Sequence, residues 1–138
     1  TNEIVRYWGA IGLCAHKEEL GIDAKKALNS TLNDPSPSVR IEAANTLLLR
    51  EKSDPALSVL IQELNHKNLI VVTHAARTIE LLGKKAKKAR KPMEECLVRA
   101  HKIRPPDLSP VIVLPGDQDM AMFVGFSCQA FLSKLKQK

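Results

Sequence analysis

The chain has 138 residues, of which 44% are hydrophobic and 26% charged, and its formal net charge is +6 at pH 7. A chain of this length suits one domain built around one continuous core. Its longest apolar runs, residues 69–72 and 111–114, are far shorter than the roughly 18 residues that a membrane-spanning helix needs. We therefore expect residues 1–138 to form one domain that does not cross a membrane.

The first predicted element is a helix at residues 4–13. Its apolar residues recur at helical spacing: Ile4, Val5, Trp8, Ile11 and Leu13. They match the second helix of a helix pair, and residue 1 is Thr, so we expect the protein to begin upstream; no signal-peptide pattern is visible. A helix without its first-helix neighbour predicts an interaction surface at Tyr7 and Trp8. In the full-length protein we expect the preceding domain to cover this surface. In the isolated chain we expect a loop, the tail helix or a second copy of the chain to cover it.

Two helix pairs follow. In each pair, two apolar stripes flank a polar or proline-containing turn. In the first pair, the first helix carries Ala24, Leu28 and Leu32, the turn is residues 34–37, and the second helix carries Val39, Ala43, Leu47 and Leu48. In the second pair, the first helix carries Leu57, Leu60, Ile61 and Leu64, the turn is residues 66–68, and the second helix carries Val71, Ala75, Ile79 and Leu82. Asp54 and Pro55 predict the start of one helix, and Gly83 predicts the end of another.

The second helices repeat one another in sequence. Residues 5–13 align with residues 39–47 at an offset of 34, and residues 71–79 follow 32 positions later with small and aliphatic residues at matching places. Residues 123–131 form a weaker fourth copy. Periods of this length are typical of stacked helical hairpins. The pattern predicts an all-α fold, an α-solenoid of about three to four antiparallel, HEAT-like helix pairs with a right-handed superhelix.

A lysine-rich segment, residues 84–91, follows the second of these pairs. Its six basic residues are Lys84, Lys85, Lys87, Lys88, Arg90 and Lys91, which together equal the net charge of the whole chain. They are candidates for binding an anion, whether nucleic acid, anionic lipid or a sulfated glycan. Because no aromatic residue is interleaved with them, nucleic acid is disfavoured. The alternative is a solvated connector between two helices.

The last third contains a proline-rich insertion at residues 101–119 and a terminal helix at residues 120–138. Pro105, Pro106, Pro110 and Pro115 exclude a continuous helix there, whereas residues 111–114 are too apolar for a free linker. Two interpretations remain open. The insertion is either a strap over one face of the helices or a peptide-like arm for a partner.

Residues 5–13, 34–44, 57–64 and 83–90 resemble the HEAT-like region at the C-terminal end of some bacterial sulfatases. The likeness covers residues 4 to about 100 and includes the pair Tyr7 and Trp8 and the turn Asp34-Pro35-Ser36-Pro37. It implies an exported, periplasmic hydrolase of sulfate esters whose preceding catalytic domain uses formylglycine and a carboxylate-bound calcium ion. This chain has no Cys/Ser-x-Pro-x-Arg motif, so the resemblance carries no catalytic residue over.

Other chemistry is not indicated. The four histidines lack metal-ligand spacing, and no nucleophile elbow, P-loop or dinucleotide motif is present. Cys14, Cys96 and Cys128 lie in apolar helical patterns and are interpreted as core residues. We predict no catalytic residue, metal site or cofactor in this chain.

Two functions therefore remain. The first is a non-catalytic scaffold or interaction domain, an accessory part of a larger sulfatase-like hydrolase that binds another part of its own polypeptide or a separate protein. The second is a basic binding module for nucleic acid or an acidic or sulfated glycan through residues 84–91. The repeat register further predicts an ion pair between Asp34 and Arg40 across the turn that joins their helices.

Overall fold

The structure is a computed structural model that describes residues 2–15, 19–105 and 116–136. Its α-helices are α1 (Glu3–Ala15), α2 (Ile22–Thr31), α3 (Pro37–Arg50), α4 (Asp54–Glu63), α5 (Leu69–Leu82), α6 (Arg90–Ile103) and α7 (Asp117–Lys136). Two short 3₁₀ turns within Gly83–Ala89, separated by a kink at Ala86, join α5 to α6. Within these ranges the structure has no β-strand, which confirms the all-α prediction.

The helix boundaries follow from capping residues. At the start of α4 the Ser53 hydroxyl accepts a hydrogen bond from the backbone N–H of Ala56, 3.3 Å away. At the start of α5 the Asn68 side-chain oxygen accepts one from the N–H of Ile70, 2.9 Å away. The cap of α4 is therefore Ser53, one residue before the predicted Asp54. Gly83 ends α5 at φ +54°, a left-handed conformation that glycine adopts without strain, as predicted.

The helices pack in two sets. Helices α1, α3, α5 and α7 contact one another in chain order, so that α3 lies between α1 and α5, and α5 lies between α3 and α7. The other helices pack beside these: α2 on α3, α4 on both α3 and α5, and α6 on α7. Both α3 and α5 are therefore surrounded by other helices, which places the centre of the core along them.

Burial follows this arrangement. Helix α3 has seven buried residues, Val39, Ile41, Ala43, Ala44, Thr46, Leu47 and Leu48, and α5 also has seven. The alanine pairs Ala43–Ala44 and Ala75–Ala76 are fully buried, because small side chains let neighbouring helices approach closely. Phe131 of α7 is the largest fully buried side chain of the described core.

The proline-rich insertion is shorter than predicted. Helix α6 continues to Ile103 and α7 begins at Asp117, so both ends of the stretch assigned to 101–119 are helical. The buried guanidinium of Arg104 lies 3.0 Å from a carboxylate oxygen of Asp119 and joins the two flanks. Residues 106–115, to which the strap and arm interpretations apply, lie outside the described residues.

Candidate functional site

The first candidate site is the outward side of α1. We call it the α1 outer face and define it by its exposed residues: Ile4, Val5, Trp8, Gly9 and Gly12. Trp8 is 61% exposed, while its neighbour Tyr7 is half-buried and meets it edge-to-face with ring centroids 5.8 Å apart. Burial and the nearby Glu42 carboxylate raise the pKa of Tyr7 above its ordinary value. Of the two predicted residues, Trp8 is therefore the one that the single chain leaves accessible.

Three of the five equivalent positions in α3 are buried, and the other two are partly buried. Val5 is 59% exposed, whereas Val39, at the equivalent place 34 residues later, is fully buried. Gly9 and Gly12 are exposed, whereas Ala43 and Thr46 are fully buried. A Cβ atom added at either glycine would meet nothing within 4 Å. Ala10 is the sole buried residue of α1, which is wholly described. The two helices have matching sequences but very different burial.

The opposite side of α1 is attached to the turn before α3. Arg6 binds both carboxylate oxygens of Asp34, at 2.6 and 3.0 Å, and the Ser36 hydroxyl donates to Glu3 at 2.6 Å. The hydrogen bond from Arg6 lowers the pKa of Asp34 below its ordinary value, and the backbone N–H of Ser36 adds to the effect. These contacts fix α1 against the described helices through one side only.

The predicted ion pair between Asp34 and Arg40 is wrong. Arg40 instead binds the buried carboxylate of Glu63, with Nη2 2.6 Å from Oε1, and donates from Nη1 to the backbone carbonyl of Asp34. The reason is geometric, because the carbonyl faces α3 while the Asp34 side chain faces α1. Arg6 thus bonds the turn that follows α2, whereas Arg40 bonds the last residue of α4.

The lysine-rich segment is the second candidate site. Ala86 and Ala89 are fully buried, three residues apart, and the lysines between and beside them are exposed. Both alanines face the core although the backbone is kinked at Ala86. The segment is thus anchored by its alanines and directs Lys84, Lys87 and their neighbours outward.

These side chains line an open groove of about 1070 Å³ between the segment and the turn from α3 to α4. We call it the basic groove. Seven of its lining residues are basic: Arg50, Lys52, Lys84, Lys85, Lys87, Lys88 and Arg90. Three leucines, Leu48, Leu57 and Leu135, supply its apolar wall, and no aromatic residue lines it. Lys91, the remaining basic residue of the segment, is not part of this lining.

The acidic residues of the basic groove are already paired. Glu51 lies 3.2 Å from Lys25, and Asp54 lies 2.7 Å from Lys88. By contrast, Lys52, Lys84 and Lys87 form no ion pair with any residue of the described ranges. The groove therefore keeps a net positive charge that no carboxylate of residues 2–15, 19–105 or 116–136 neutralises.

Arg50 and Lys52 were not recognised as site residues from the sequence. The signal that locates them is the repeat offset, because Lys52 stands 32 positions before Lys84, the same offset that relates α3 to α5. The guanidinium of Arg50 donates to the carbonyl of Cys14 at 2.8 Å, and Lys85 donates to the carbonyl of Leu49. The C-terminal ends of α3 and α5, which are equivalent in the repeat, thus contribute to one groove.

Among the described residues, every buried side-chain nitrogen and oxygen atom has a hydrogen-bond partner. His74 lies 2.8 Å from a carboxylate oxygen of Glu42, and Cys96 and Cys128 are buried free thiols. In the described ranges no group of three or more His, Cys, Asp or Glu side chains could hold a metal ion. None of the described helices is long and apolar enough to cross a membrane. His16 lies outside the described residues.

No protein-family model, curated protein or solved structure matches this chain.

Proposed function

We propose that this chain is a non-catalytic, HEAT-like scaffold whose α1 outer face binds an α-helix of a partner protein domain. The observation that carries the proposal is the contrast in burial between α1 and α3. Positions that another helix covers in α3 are open in α1, although four of the nine aligned residues are identical. A surface of this kind is complementary to a helix.

The repeat interpretation is supported by contacts between residues about one period apart. The Thr46 hydroxyl donates to the carbonyl of Ala10 at 3.1 Å, and Arg50 donates to the carbonyl of Cys14, so both contacts link α3 to α1 across 36 residues. The contact between Glu42 and His74 links α3 to α5 across 32 residues. Contacts between nearest repeats are what a solenoid is built from. Antiparallel pairing and a right-handed superhelix remain part of the proposal.

The chemistry of the occupant follows from the α1–α3 contact. Helix α1 packs on α3, and the Thr46 hydroxyl is bonded within that contact. Val39 and Ala43 lie on the same side of α3 as Thr46, because residues three and four positions apart share one face of a helix. On the α1 outer face the equivalent of Thr46 is Gly12, which has no hydroxyl to donate. The partner helix is therefore held by apolar packing. Its larger aliphatic or aromatic side chains fill the open space above Gly9 and Gly12.

The partner helix then belongs to another domain of the same polypeptide. The resemblance to the C-terminal region of bacterial sulfatases suggests a sulfatase-type catalytic domain as the partner. The chain would then be an accessory scaffold of an exported hydrolase. This part of the proposal rests on the sequence resemblance alone.

A tandem variant tests the docking face. A second copy of residues 3–36 is placed directly before Glu3, so that the added α1 stands to the original α1 as the original α1 stands to α3. We expect the original Val5 side to become buried and the free energy of unfolding to rise by at least about 2 kcal/mol, the value of burying one large apolar side chain. Urea denaturation followed by circular dichroism measures the change.

The matched control carries Gly9→Glu and Gly12→Glu in the original α1 of the same tandem chain. These charges lie on the α1 outer face and would be desolvated by a covering helix, so the gain in stability should vanish while the helix content stays high. If both tandem chains are stabilised equally, or neither is, the α1 outer face does not bind a helix. Self-association of the single chain, seen by sedimentation, would make a second copy the occupant instead.

A further inference from the structure

We infer that the basic groove binds an acidic peptide segment that carries apolar side chains, independently of the α1 outer face. The structure places seven basic residues around a groove whose wall includes three leucines. Each of these features restricts the class of ligand. Together they favour a protein segment over the other polyanions.

The charge of the groove calls for an anionic ligand. Its two carboxylates are engaged by Lys25 and Lys88, while Lys52, Lys84 and Lys87 have no carboxylate partner among the described residues. All three lysines line the same open groove, Lys52 from the α3–α4 turn and the other two from the lysine-rich segment, which concentrates the positive potential there. Glutamate or aspartate side chains of a ligand supply the missing partners. The desolvation cost is small, because the ligand carboxylates and the lysine ammonium groups both stay near water.

The apolar wall distinguishes between anionic ligands. Leu48 and Leu57 are buried beneath the groove, and Leu135 of α7 is half-buried at its edge. Because Leu48 is 4% and Leu57 6% exposed, Leu135 supplies most of the leucine surface that a ligand can cover. Leucine, isoleucine or phenylalanine side chains of a peptide gain free energy by covering it, whereas a sulfated sugar or a phosphodiester backbone does not. Single-stranded nucleic acid also lacks its usual stacking partners, because no aromatic side chain lines the groove.

The groove is held in place by one lysine side chain that bonds the backbone of α3 and by two buried alanines. Lys85 donates to the carbonyl of Leu49, and Ala86 and Ala89 are fully buried, so the lysine-rich segment is held against the end of α3. The site is therefore largely preformed. A peptide that binds it does not have to order the groove first.

The test uses fluorescein-labelled synthetic peptides and the whole chain. One peptide repeats Glu-Glu-Leu, and a matched peptide of equal length and charge repeats Glu-Glu-Gly. A heparin oligosaccharide and a single-stranded oligothymidylate serve as competing polyanions. We expect the leucine peptide to bind about tenfold more tightly than the glycine peptide, which corresponds to about 1.4 kcal/mol. Both polyanions should displace it only weakly at physiological salt.

Charge-reversal variants locate the binding. Lys84→Glu with Lys87→Glu should weaken binding of the leucine peptide by about tenfold or more. Lys26→Glu with Lys67→Glu changes the net charge equally at exposed positions outside the groove and should have little effect. Leu135→Ala, checked for folding by circular dichroism, should reduce the advantage of the leucine peptide over the glycine peptide.

Three results would overturn the inference. The first is equal binding of the two peptides, and the second is equal loss of affinity in both pairs of charge-reversal variants. The third is stronger binding of heparin or oligothymidylate than of the leucine peptide, which would assign the groove to a glycan or nucleic acid. None of these outcomes depends on the α1 outer face, so the result is separable from the tandem experiment.

Discussion

Arg6 and Asp34 form a two-point ion pair across 28 residues of sequence, with Nε of Arg6 2.6 Å from Oδ2 and Nη2 3.0 Å from Oδ1 of Asp34. The arginine is on α1, and the aspartate follows α2. A planar guanidinium matches a carboxylate in this geometry, which a lysine could not do. The pair holds α1 to the turn that begins α3.

The stability of the fold should decrease at acidic pH through Asp34 and Glu80. The hydrogen bond from Arg6 lowers the pKa of Asp34 below its ordinary value of 3.8. Burial alone would raise the pKa of Glu80 above 4.5, but bonds from Arg77 and Lys134 outweigh it and lower the pKa. A carboxyl group with a lowered folded-state pKa stabilises the fold above its unfolded-state pKa, and this contribution is lost as the pH falls through the folded-state pKa.

We therefore expect the urea midpoint to stay nearly constant from neutral pH to about pH 5 and to fall below about pH 4. Asp34→Asn combined with Glu80→Gln should lower the midpoint at neutral pH and flatten the acid decline. An acid decline of unchanged steepness in this double variant would show that other groups cause it.

The Arg40–Glu63 contact should contribute much more to stability than an exposed ion pair. Glu63 is buried, and its carboxylate lies 2.6 Å from Arg40. Arg40→Ala leaves this charge without its partner and should cost about 3 kcal/mol of unfolding free energy. The control, Arg90→Ala, removes the exposed pair with Glu94 and should cost at most about 0.5 kcal/mol. Equal losses in urea titrations would contradict the burial of Glu63.

Leucine should be tolerated at position 9 and not at the equivalent position 43. A side chain at Gly9 enters open space, so Gly9→Leu should be neutral or stabilise α1 by up to about 1 kcal/mol through helix propensity. Ala43 is fully buried between helices, and Ala43→Leu should destabilise the chain by about 1–3 kcal/mol. Thermal unfolding of the two variants measures the difference, and a large loss of stability with Gly9→Leu would mean that the α1 outer face is covered.

The three thiols should differ in reactivity. Cys14 is half-buried, whereas Cys96 and Cys128 are buried in α6 and α7. The neighbouring Cys96 thiol, reinforced by burial, raises the pKa of Cys128, whose Sγ donates to Sδ of Met93, while the Cys128 thiol lowers the pKa of Cys96. With a disulfide reagent at neutral pH we expect one fast thiol, absent in Cys14→Ser, and two that react only on unfolding. Three equal rates would exclude this packing.

Much of the fold could be predicted because helices leave local signals. The proline and glycine positions located the turns before α3 and α4 and the end of α5, and the 34- and 32-residue offsets identified α1, α3 and α5 as related helices. Helix α7 was predicted three residues too short at its start. Its first turn, Asp117-Gln118-Asp119, has no apolar residue, so periodicity gave no signal there.

The side-chain partners could not be predicted in the same way. Arg40 was assigned to Asp34 because they are close in sequence, but the partner of Arg40 is Glu63, 23 residues away. The basic groove was missed in part for the same reason, since Arg50 and Lys52 meet the lysine-rich segment only after α3 and α5 pack together. Contacts between helices depend on how the helices are oriented relative to one another, and the apolar periodicity of one helix does not predict that orientation.

The most direct test of the scaffold proposal is acrylamide quenching of the fluorescence of Trp8, the single tryptophan of the chain. In the single chain we expect quenching close to that of a free indole compound and independent of protein concentration, since Trp8 is 61% exposed. In the tandem variant, with Trp8→Phe in the added copy, quenching should fall sharply, because the equivalent Glu42 side chain is only 13% exposed. If Trp8 is shielded from acrylamide in the dilute single chain, the α1 outer face is not open. If quenching is equal in the two proteins, an added helix does not cover that face.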